Sequence, residues 1–398
     1  MLSFDNKDKI KNVVIFVCDA LRYDYMPDII SNMGIKTKMI ASSTFTAPTF
    51  PSIISGLYPY NHRVFSFFSE PIDKSIPTLI NLKGYNTSLW TENSWEGLKE
   101  RSPLHKIIGS NKHISLKNIK EPFIYIEDEK GGHCPYGWSK DDSIYEEWDC
   151  KSFFEDYSNK AISDLKDSYK KGIDRSIKVF KKRLETLVTR GIEERTLVIF
   201  TSDHGELLGE YGGLVAHGLV SVPELIYVPL VFINPQLSQN ANLADSGVLR
   251  HVDLYPTICD ILNINTKNIR LDGESVYEKP TLPKYGISYF NSNPKLKNFQ
   301  KYFSYELKEL GLWKENSGFV LRKNISLFKR YTKSLMFTKF KADDFRIIYR
   351  NGLHKKHSLS YKIKKDIETM KLLSSKTLTF GNDINIKESK DILNKISI

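Results

Sequence analysis

The sequence predicts an α/β fold in which helices cover both faces of a mostly parallel sheet. Two apolar, β-branched runs, Asn12–Cys18 and Thr196–Phe200, are typical of strands buried on both faces, and helical patterns separate them. Polar residues follow each run directly: Asp19 after the first, Asp203 and His204 after the second. Because ligands of such sheets bind beyond the carboxyl ends of the strands, these residues predict a functional site at that edge.

The other elements of this sheet are predicted in chain order. Within residues 43–64, hydroxyl residues and prolines precede a short apolar helix that ends near Gly56. A long helical pattern runs from about residue 158 to residue 191, and a third apolar strand begins at Val228. Residues 251–262 indicate a turn that leads into another helix.

A domain boundary is indicated near residue 280. Two prolines and a glycine lie within residues 278–286, a composition typical of a linker. We therefore predict a catalytic domain over residues 1–280 and a smaller, basic α+β subdomain over residues 281–398. Its antiparallel strands are expected at "GISYF", residues 286–290, and "FRIIYRNG", residues 345–352.

Positive charge is concentrated at the C-terminal end of the chain. Of the net charge of +11, residues 321–398 contribute 19 Lys and Arg against 7 Asp and Glu. Such a segment can meet nucleic acid, anionic lipid or an anionic glycan, although a solvated surface is the simpler interpretation. The tail has no stacking aromatic residues at the spacing of a nucleic-acid-binding module, so we expect no nucleic acid partner.

Hydropathy and cysteine content restrict the class of protein further. No apolar run approaches the roughly 20 residues of a membrane span, and the first residues lack a secretory signal. These features predict a cytoplasmic protein without a transmembrane segment. The four cysteines form no CxxC pair, so the sequence indicates neither a disulfide framework nor a thiolate zinc site.

The polar residues at the strand ends suit a divalent cation. Asp19, Asp203 and His204 supply two carboxylates and one imidazole, which hard and transition metal ions accept as ligands. Thr49 precedes the apolar helix, where a hydroxyl can bind a metal and act as a nucleophile. Taken alone, Thr49 is better explained as a helix cap, with Pro51 in the first turn, but the two metal-binding clusters favour the nucleophile.

Several motifs together resemble the sulfatase family of the alkaline phosphatase superfamily. In order, they are "VVIFVCDALRYD", "TAPTFPSIISGLYP", "HCPYGW", "TSDHGELLGEYG", "PELIYVPLVF" and "HVDLYPT". The resemblance covers about residues 12–273. It implies an alkaline-phosphatase-like fold and metal-dependent hydrolysis or transfer of sulfate or phosphate esters. The expected substrate is a small anionic ester or an anionic glycan.

The resemblance also implies roles for individual residues. It gives Asp19, Thr49, Asp203 and His204 as ligands of one divalent ion (Ca, Mn, Zn or Mg), with Thr49 as the nucleophile. The histidines of "HCPY" and "VAHGLV", and one arginine near the first strand, resemble substrate-contacting residues. These are His133 and His217, expected to be catalytic and substrate-binding, and Arg22, expected to bind substrate; His62 lies in a similar motif, and His217 and His251 are candidate ligands of a second metal.

The chain departs from common sulfatases at the nucleophile. Those enzymes carry Cys or Ser followed by x-Pro-x-Arg and convert the Cys or Ser to formylglycine. The segment from Thr49 to Ile53 has neither the convertible residue nor the arginine. A threonine at this position resembles the nucleophile of phosphodiesterases and of phosphoethanolamine or glycerol-phosphate transferases in the same superfamily. Ala20 stands where many sulfatases carry a second Asp. These departures favour one metal and a phosphate ester over a sulfate ester.

Three functions remain open at this point. The first is a metal-dependent hydrolase of phosphate or sulfate esters that uses Thr49. The second is a transferase that moves a phospho-group onto a glycan or lipid. The third is a non-catalytic protein that binds an anionic polymer on the same fold.

Overall fold

The computed structural model describes most of the chain through residue 291 and shorter segments beyond it. The described residues are 2–91, 103–110, 112–134, 136, 159–218, 220–238, 243, 247–279, 282–291, 308–323, 364, 367–369, 371–372 and 375–396. The predicted strand at 345–352 lies outside them. Among the helices in these residues, none is both long enough and apolar enough to cross a membrane.

A seven-stranded sheet forms the centre of the fold, as the sequence predicts. Its order is β3-β4-β1-β5-β8-β2-β9, and the four strands β3, β4, β1 and β5 are mutually parallel. The strand bounds are β1 Asn12–Cys18, β2 Ile35–Ile40, β3 Asn86–Trp90, β4 Phe123–Glu129, β5 Thr196–Thr201, β8 Tyr227–Ile233 and β9 Leu249–Arg250. Because β4, β1 and β5 are neighbours, residues that follow their carboxyl ends meet at one edge.

Strand β8 runs against the direction of the central strands. It pairs antiparallel with β5 on one side and with β2 on the other. A parallel return requires a crossover of a dozen or more residues, usually helical. The chain between β5 and β8 instead forms a short antiparallel hairpin, β6 Leu207–Gly209 and β7 Leu214–Ala216. The sheet is therefore mixed although mostly parallel.

The apolar residues of β1 divide between two cores, one on each face of the sheet. Val13, Ile15 and Val17 belong to one core, whereas Val14 and Phe16 belong to the other. This alternation explains why the run has no polar residue between Val13 and Cys18: both faces of a central strand are buried.

Helices cover both faces. The bounds are α1 Asp28–Ser31, α2 Thr46–Ser55, α3 Pro59–His62, α4 Pro103–Ile108, α5 Asn159–Thr189, α6 Glu210–Gly213, α7 Pro223–Ile226, α8 Leu254–Ile261 and α9 Ile386–Asn394, with 3-10 turns at Lys7–Lys9, Tyr23–Tyr25, Leu79–Asn81, Glu193–Arg195 and His251–Asp253. α2 and α8 pack on the first core and α5 packs on the second. The predicted long helix and the predicted helix after His251 are both present.

A second, smaller sheet follows in sequence. It is antiparallel in the order β10-β11-β12-β13, with bounds β10 Gly286–Asn291, β11 Lys308–Trp313, β12 Gly318–Lys323 and β13 Thr377–Phe380. The predicted strand at residues 286–290 is confirmed as part of β10. A buried ion pair, Arg322 to Glu309 at 2.6 Å, lies inside this sheet, and Glu309 also accepts a bond from the Ser221 amide of the large sheet's loops.

Candidate active site

The first polar residue of the site follows β1. Asp19 is buried, and the next residue, Ala20, has φ of 60°, a left-handed conformation uncommon outside glycine. The Ala20 amide donates to Asp203 Oδ1 over 3.2 Å. A Cβ atom at Gly131 would lie only 2.4 Å from the Asp19 carbonyl oxygen, so the loop after β4 packs directly on this turn. Neighbouring strands therefore fix the position of Asp19.

The second group follows β5, where a tight turn aims His204. At Gly205 a Cβ atom would meet the Glu224 carbonyl oxygen at 1.9 Å, so the turn requires glycine. The His204 Nδ1 atom lies 2.8 Å from the Gly205 carbonyl and must donate to it, because a carbonyl only accepts. In the neutral ring, Nε2 then carries a lone pair. That atom lies 3.4 Å from Asp19 Oδ1 and 3.3 Å from Asp203 Oδ2.

These three side chains fit a divalent cation. Their ligand atoms lie within 4.8 Å of one another, and all three residues are buried. Asp19 Oδ1 and Asp203 Oδ2 have no hydrogen-bond partner in the part of the chain that the structure describes, a costly state for buried carboxylates that a cation would relieve. Burial, together with the charge of Asp203, raises the pKa of Asp19 well above its usual range. Burial opposes ionisation of Asp203 too, but His204 and the bonds from Ala20 and Thr46 hold its pKa low.

The hydroxyl that lies beside His204 in this cluster belongs to Thr46, whereas the sequence prediction assigns that place to Thr49. Thr46 is the first residue of α2, and its Oγ1 lies 3.3 Å from His204 Nε2. Thr49 Oγ1 instead donates to the Phe45 and Thr46 carbonyls, each at 2.9 Å, one turn farther along the helix. The Thr49 hydroxyl thus makes the local bonds to its own helix that threonine commonly makes.

His133 and His217 do come together beside the cluster, as predicted. Their ring centroids lie 4.5 Å apart, and the His217 ring lies 4.3 Å from that of His204. His217 Nδ1 is 2.7 Å from Glu206 Oε2, and the Glu206 carboxylate also accepts a bond from the Tyr136 hydroxyl. Burial and then the neighbouring His217 lower the pKa of His133 to about 3, which keeps that ring neutral near pH 7.

Arg22, which the sequence predicts to bind substrate, pairs with two carboxylates in the structure. Its guanidinium donates to Asp24 at 2.7 and 2.8 Å and to Glu210 at 2.6 Å. With its charge matched by two carboxylates, Arg22 fastens the loop after β1 to α6.

His62 and His251 are also structural in this fold. His62 Nδ1 accepts from the Val64 amide at 3.1 Å, and its Nε2 lies 3.1 Å from the Pro48 carbonyl. His251 Nδ1 accepts from the Ser42 amide, and its Nε2 donates to the Ser202 carbonyl at 2.9 Å. Because backbone groups use both nitrogens of each ring, the prediction of His251 as a metal ligand is wrong.

The sequence contains signals for the residues that its interpretation missed. Thr46 and Thr49 are each followed by x-Pro, as Thr46-Ala47-Pro48 and Thr49-Phe50-Pro51, so the motif alone allows both registers. Glu206 lies two residues after His204 inside the quoted "TSDHGE" motif, and it is fully buried. Tyr136, its partner, lies inside "HCPYGW".

Comparison with known proteins identifies relatives of this architecture. Residues 130–264 match the family model described as Sulfatase. Over 252 residues the chain is 35% identical to the low-salt glycan biosynthesis sulfotransferase Agl7 of Haloferax volcanii, a match that covers 62% of this chain and 60% of that relative. Over 223 residues it is 25% identical to the lipoteichoic acid synthase-like YvgJ of Bacillus subtilis, covering 54% of this chain and 33% of that relative.

Solved structures share the fold at low sequence identity. The phosphonate monoester hydrolase of Agrobacterium radiobacter has a TM-score of 0.60 at 16% identity and covers 89% of this chain and 96% of its own. A 2-O GAG sulfatase gives the same TM-score, identity and coverage. These similarities establish the predicted α/β architecture across the described chain.

Proposed function

We propose that this chain, which has the sulfatase fold and carries a sulfatase-family segment at residues 130–264, is a metal-dependent enzyme acting on sulfate or phosphate esters through Thr46. The observation that carries the proposal is the position of the Thr46 hydroxyl, 3.3 Å from His204 Nε2. It lies at the start of a helix and beside two carboxylate oxygens that lack partners. The role given to Thr49 by its motif thus passes to Thr46.

Asp19, Asp203 and His204 would hold the cation, with the Thr46 oxygen beside it. A bound divalent ion stabilises an alkoxide and polarises the ester oxygens. The start of α2 favours anionic oxygens through its dipole, although Pro48 gives no N–H. The rings of His133 and His217 border the same space, where His133 can carry a proton to or from an ester oxygen.

The reaction we propose has two displacements. In the first, the Thr46 oxygen bonds to sulfur or phosphorus while the bond to the ester oxygen breaks, and the threonine proton reaches the departing alcohol through a histidine. In the second, an acceptor oxygen bonds to the same centre while the bond to the Thr46 oxygen breaks, and the acceptor's proton returns to Thr46. A threonyl ester has no second hydroxyl for elimination, so release requires this direct attack. That requirement supports phosphate as the favoured group.

Exchange of each threonine for alanine tests the assignment. We expect Thr46→Ala to lower turnover of aryl phosphate, phosphodiester and aryl sulfate test substrates by about four orders of magnitude. Thr49→Ala removes only bonds within the helix, so it should cost about 1 kcal/mol of stability and leave turnover within about threefold. Steady-state rates and urea unfolding of both variants are the measurements. A Thr46→Ala enzyme with full activity, or loss of activity confined to Thr49→Ala, would contradict the proposal.

A second candidate is transfer to a sugar or lipid alcohol instead of water. The observation that favours it is the 35% identity to a relative named as a glycan biosynthesis sulfotransferase. Product analysis in the presence and absence of a glycan or glycerol acceptor separates the two candidates. Release of free sulfate or phosphate unaffected by acceptor supports the hydrolase, and acceptor-dependent product supports the transferase.

A further inference from the structure

A second group of potential metal ligands lies beside the first. A Cys134 sulfur, a Glu206 carboxylate oxygen and a His217 ring nitrogen all lie within 4.8 Å of one another. These donors differ from those of the first group because they include a thiol. Soft thiolate ligands select zinc over calcium or magnesium, so the two groups have different metal preferences.

The fold brings these donors together by two independent routes. Glu206 directly precedes β6 and His217 directly follows β7, and the hairpin pairs Leu207 with Ala216. The next pair beyond that register is therefore Glu206 and His217, whose side chains meet at 2.7 Å. Cys134 arrives from the loop after β4. An ion bound by all three would fasten that loop to the hairpin.

The surroundings of Glu206 resemble the outer shell of a metal site. Ligating carboxylates are commonly held by a further hydrogen bond, and here the Tyr136 hydroxyl donates to Glu206. The hydrogen bond between Glu206 and His217 joins two atoms that a cation could bridge instead. Zinc bound to sulfur, nitrogen and oxygen holds its ligand atoms about 3.5 Å apart, so the three donors need to move by roughly 1 Å at most.

A second cation would offset negative charge that one cation leaves among the buried carboxylates. Asp19, Asp203 and Glu206 are buried carboxylates around a space that, on the proposed function, receives an anionic ester. One divalent cation leaves that set with negative charge, and a second brings it close to neutrality. The His204 and His217 rings are 4.3 Å apart, so two ions would be near enough to contact one tetrahedral anion.

We propose that Cys134, Glu206 and His217 form a second, zinc-preferring site next to the Asp19, Asp203 and His204 site. The inference rests on the proposed function, because the ester is what brings the two ions into use. It differs from that function in requiring a thiolate ligand.

Metal content and a cobalt spectrum test this site without reference to activity. The full chain is stripped with chelator, loaded with Zn²⁺ or Co²⁺, freed of excess ion, and measured by elemental analysis and absorption spectroscopy. We expect two ions per chain and a thiolate-to-Co²⁺ charge-transfer band in the wild-type protein. Cys134→Ser should retain one ion and lose the band. Cys259→Ser, a change at a buried cysteine of the first core, is the matched control and should keep both.

One ion and no thiolate band in folded wild-type protein would overturn the second site, as would a Cys134→Ser protein that keeps two ions. Circular dichroism of each variant establishes that it is folded. If the protein binds a single ion and still shows Thr46-dependent turnover, the second site fails while the proposed function stands. If it binds none and turns over no ester, the proposed function fails first.

Discussion

Two sets of buried acidic residues on neighbouring strands differ in whether arginines neutralise them. On β4, Glu127 receives bonds from Arg183 of α5 at 2.8 to 3.1 Å, and Glu129 pairs with Arg175 of the same helix. Within the described residues, the carboxylates after β1 and β5, Asp19 and Asp203, receive no arginine bond, and each keeps an oxygen without a hydrogen-bond partner. Arginines of the protein neutralise the first set, whereas the second set has carboxylate oxygens that a bound cation could neutralise.

Asp128 shows that the division follows the faces of the strand. It lies between the two paired glutamates, and alternation on a strand places its side chain on the opposite face. Its Oδ1 is buried without a partner, and burial followed by the charge of Asp203 raises its pKa well above its usual range. The face toward α5 is thus neutralised by arginines, whereas the carboxyl groups on the face toward the site oppose one another's ionisation. This arrangement attracts a cation and makes the metal-free protein less stable.

The largest effect is expected from Asp19→Asn. Loss of a ligand should lower turnover at least about a thousandfold. In metal-free protein the same change replaces a carboxyl group whose ionisation is opposed by burial and by Asp203, and it gives Asp203 a permanent hydrogen-bond donor, so stability should rise by about 1 kcal/mol. Ester turnover and urea unfolding after chelation are the measurements. A metal-free variant less stable than metal-free wild type would contradict the view that the carboxyl groups after β1 and β5 destabilise the metal-free protein.

A smaller effect, on stability alone, is expected from Arg183→Met. It leaves Glu127, which is fully buried, without its charge partner, and breaking such a pair costs about 3–5 kcal/mol. Turnover per folded molecule should stay unchanged. The matched control is Arg195→Met, which breaks an ion pair with Glu121 that is 41% and 29% exposed and should cost less than about 1 kcal/mol. Equal losses in the two variants would contradict this interpretation.

The smallest effect concerns pH and His62. Burial lowers the pKa of this ring from its ordinary 6.5 to about 3, so below pH 6.5 the unfolded chain takes up a proton that the folded protein refuses. Stability therefore falls as the pH decreases, by about 2 kcal/mol between pH 7 and pH 5. His62→Gln should remove that part of the decrease, measured as unfolding free energies at both values. An unchanged difference between pH 7 and pH 5 would show that His62 does not contribute it.

The sequence predicts the scaffold well where periodicity and burial decide. The bounds of β1 were predictable because a strand buried on both faces has no polar interruption. Asp203 and His204 were predictable because a strand end, a tight glycine turn and the sheet edge all indicate the same place. The antiparallel direction of β8 was not, since an apolar run carries no information about direction.

Side-chain partners distant in sequence account for the errors within the site. Arg22 was interpreted as a substrate ligand because its motif does not show Glu210, its partner 188 residues away. The motif that makes His251 a candidate ligand does not show that backbone groups form hydrogen bonds with both of its ring nitrogens. The domain boundary at residue 280, the cytoplasmic location and the partner of the basic tail stay predictions.

The paired triplets Thr46-Ala47-Pro48 and Thr49-Phe50-Pro51 carry a consequence for how related chains are aligned. A shift of three positions superimposes threonine on threonine and proline on proline, so these triplets alone do not decide which threonine is the nucleophile. Homologues in this region are better matched by the residue at which the helix begins than by the motif it contains.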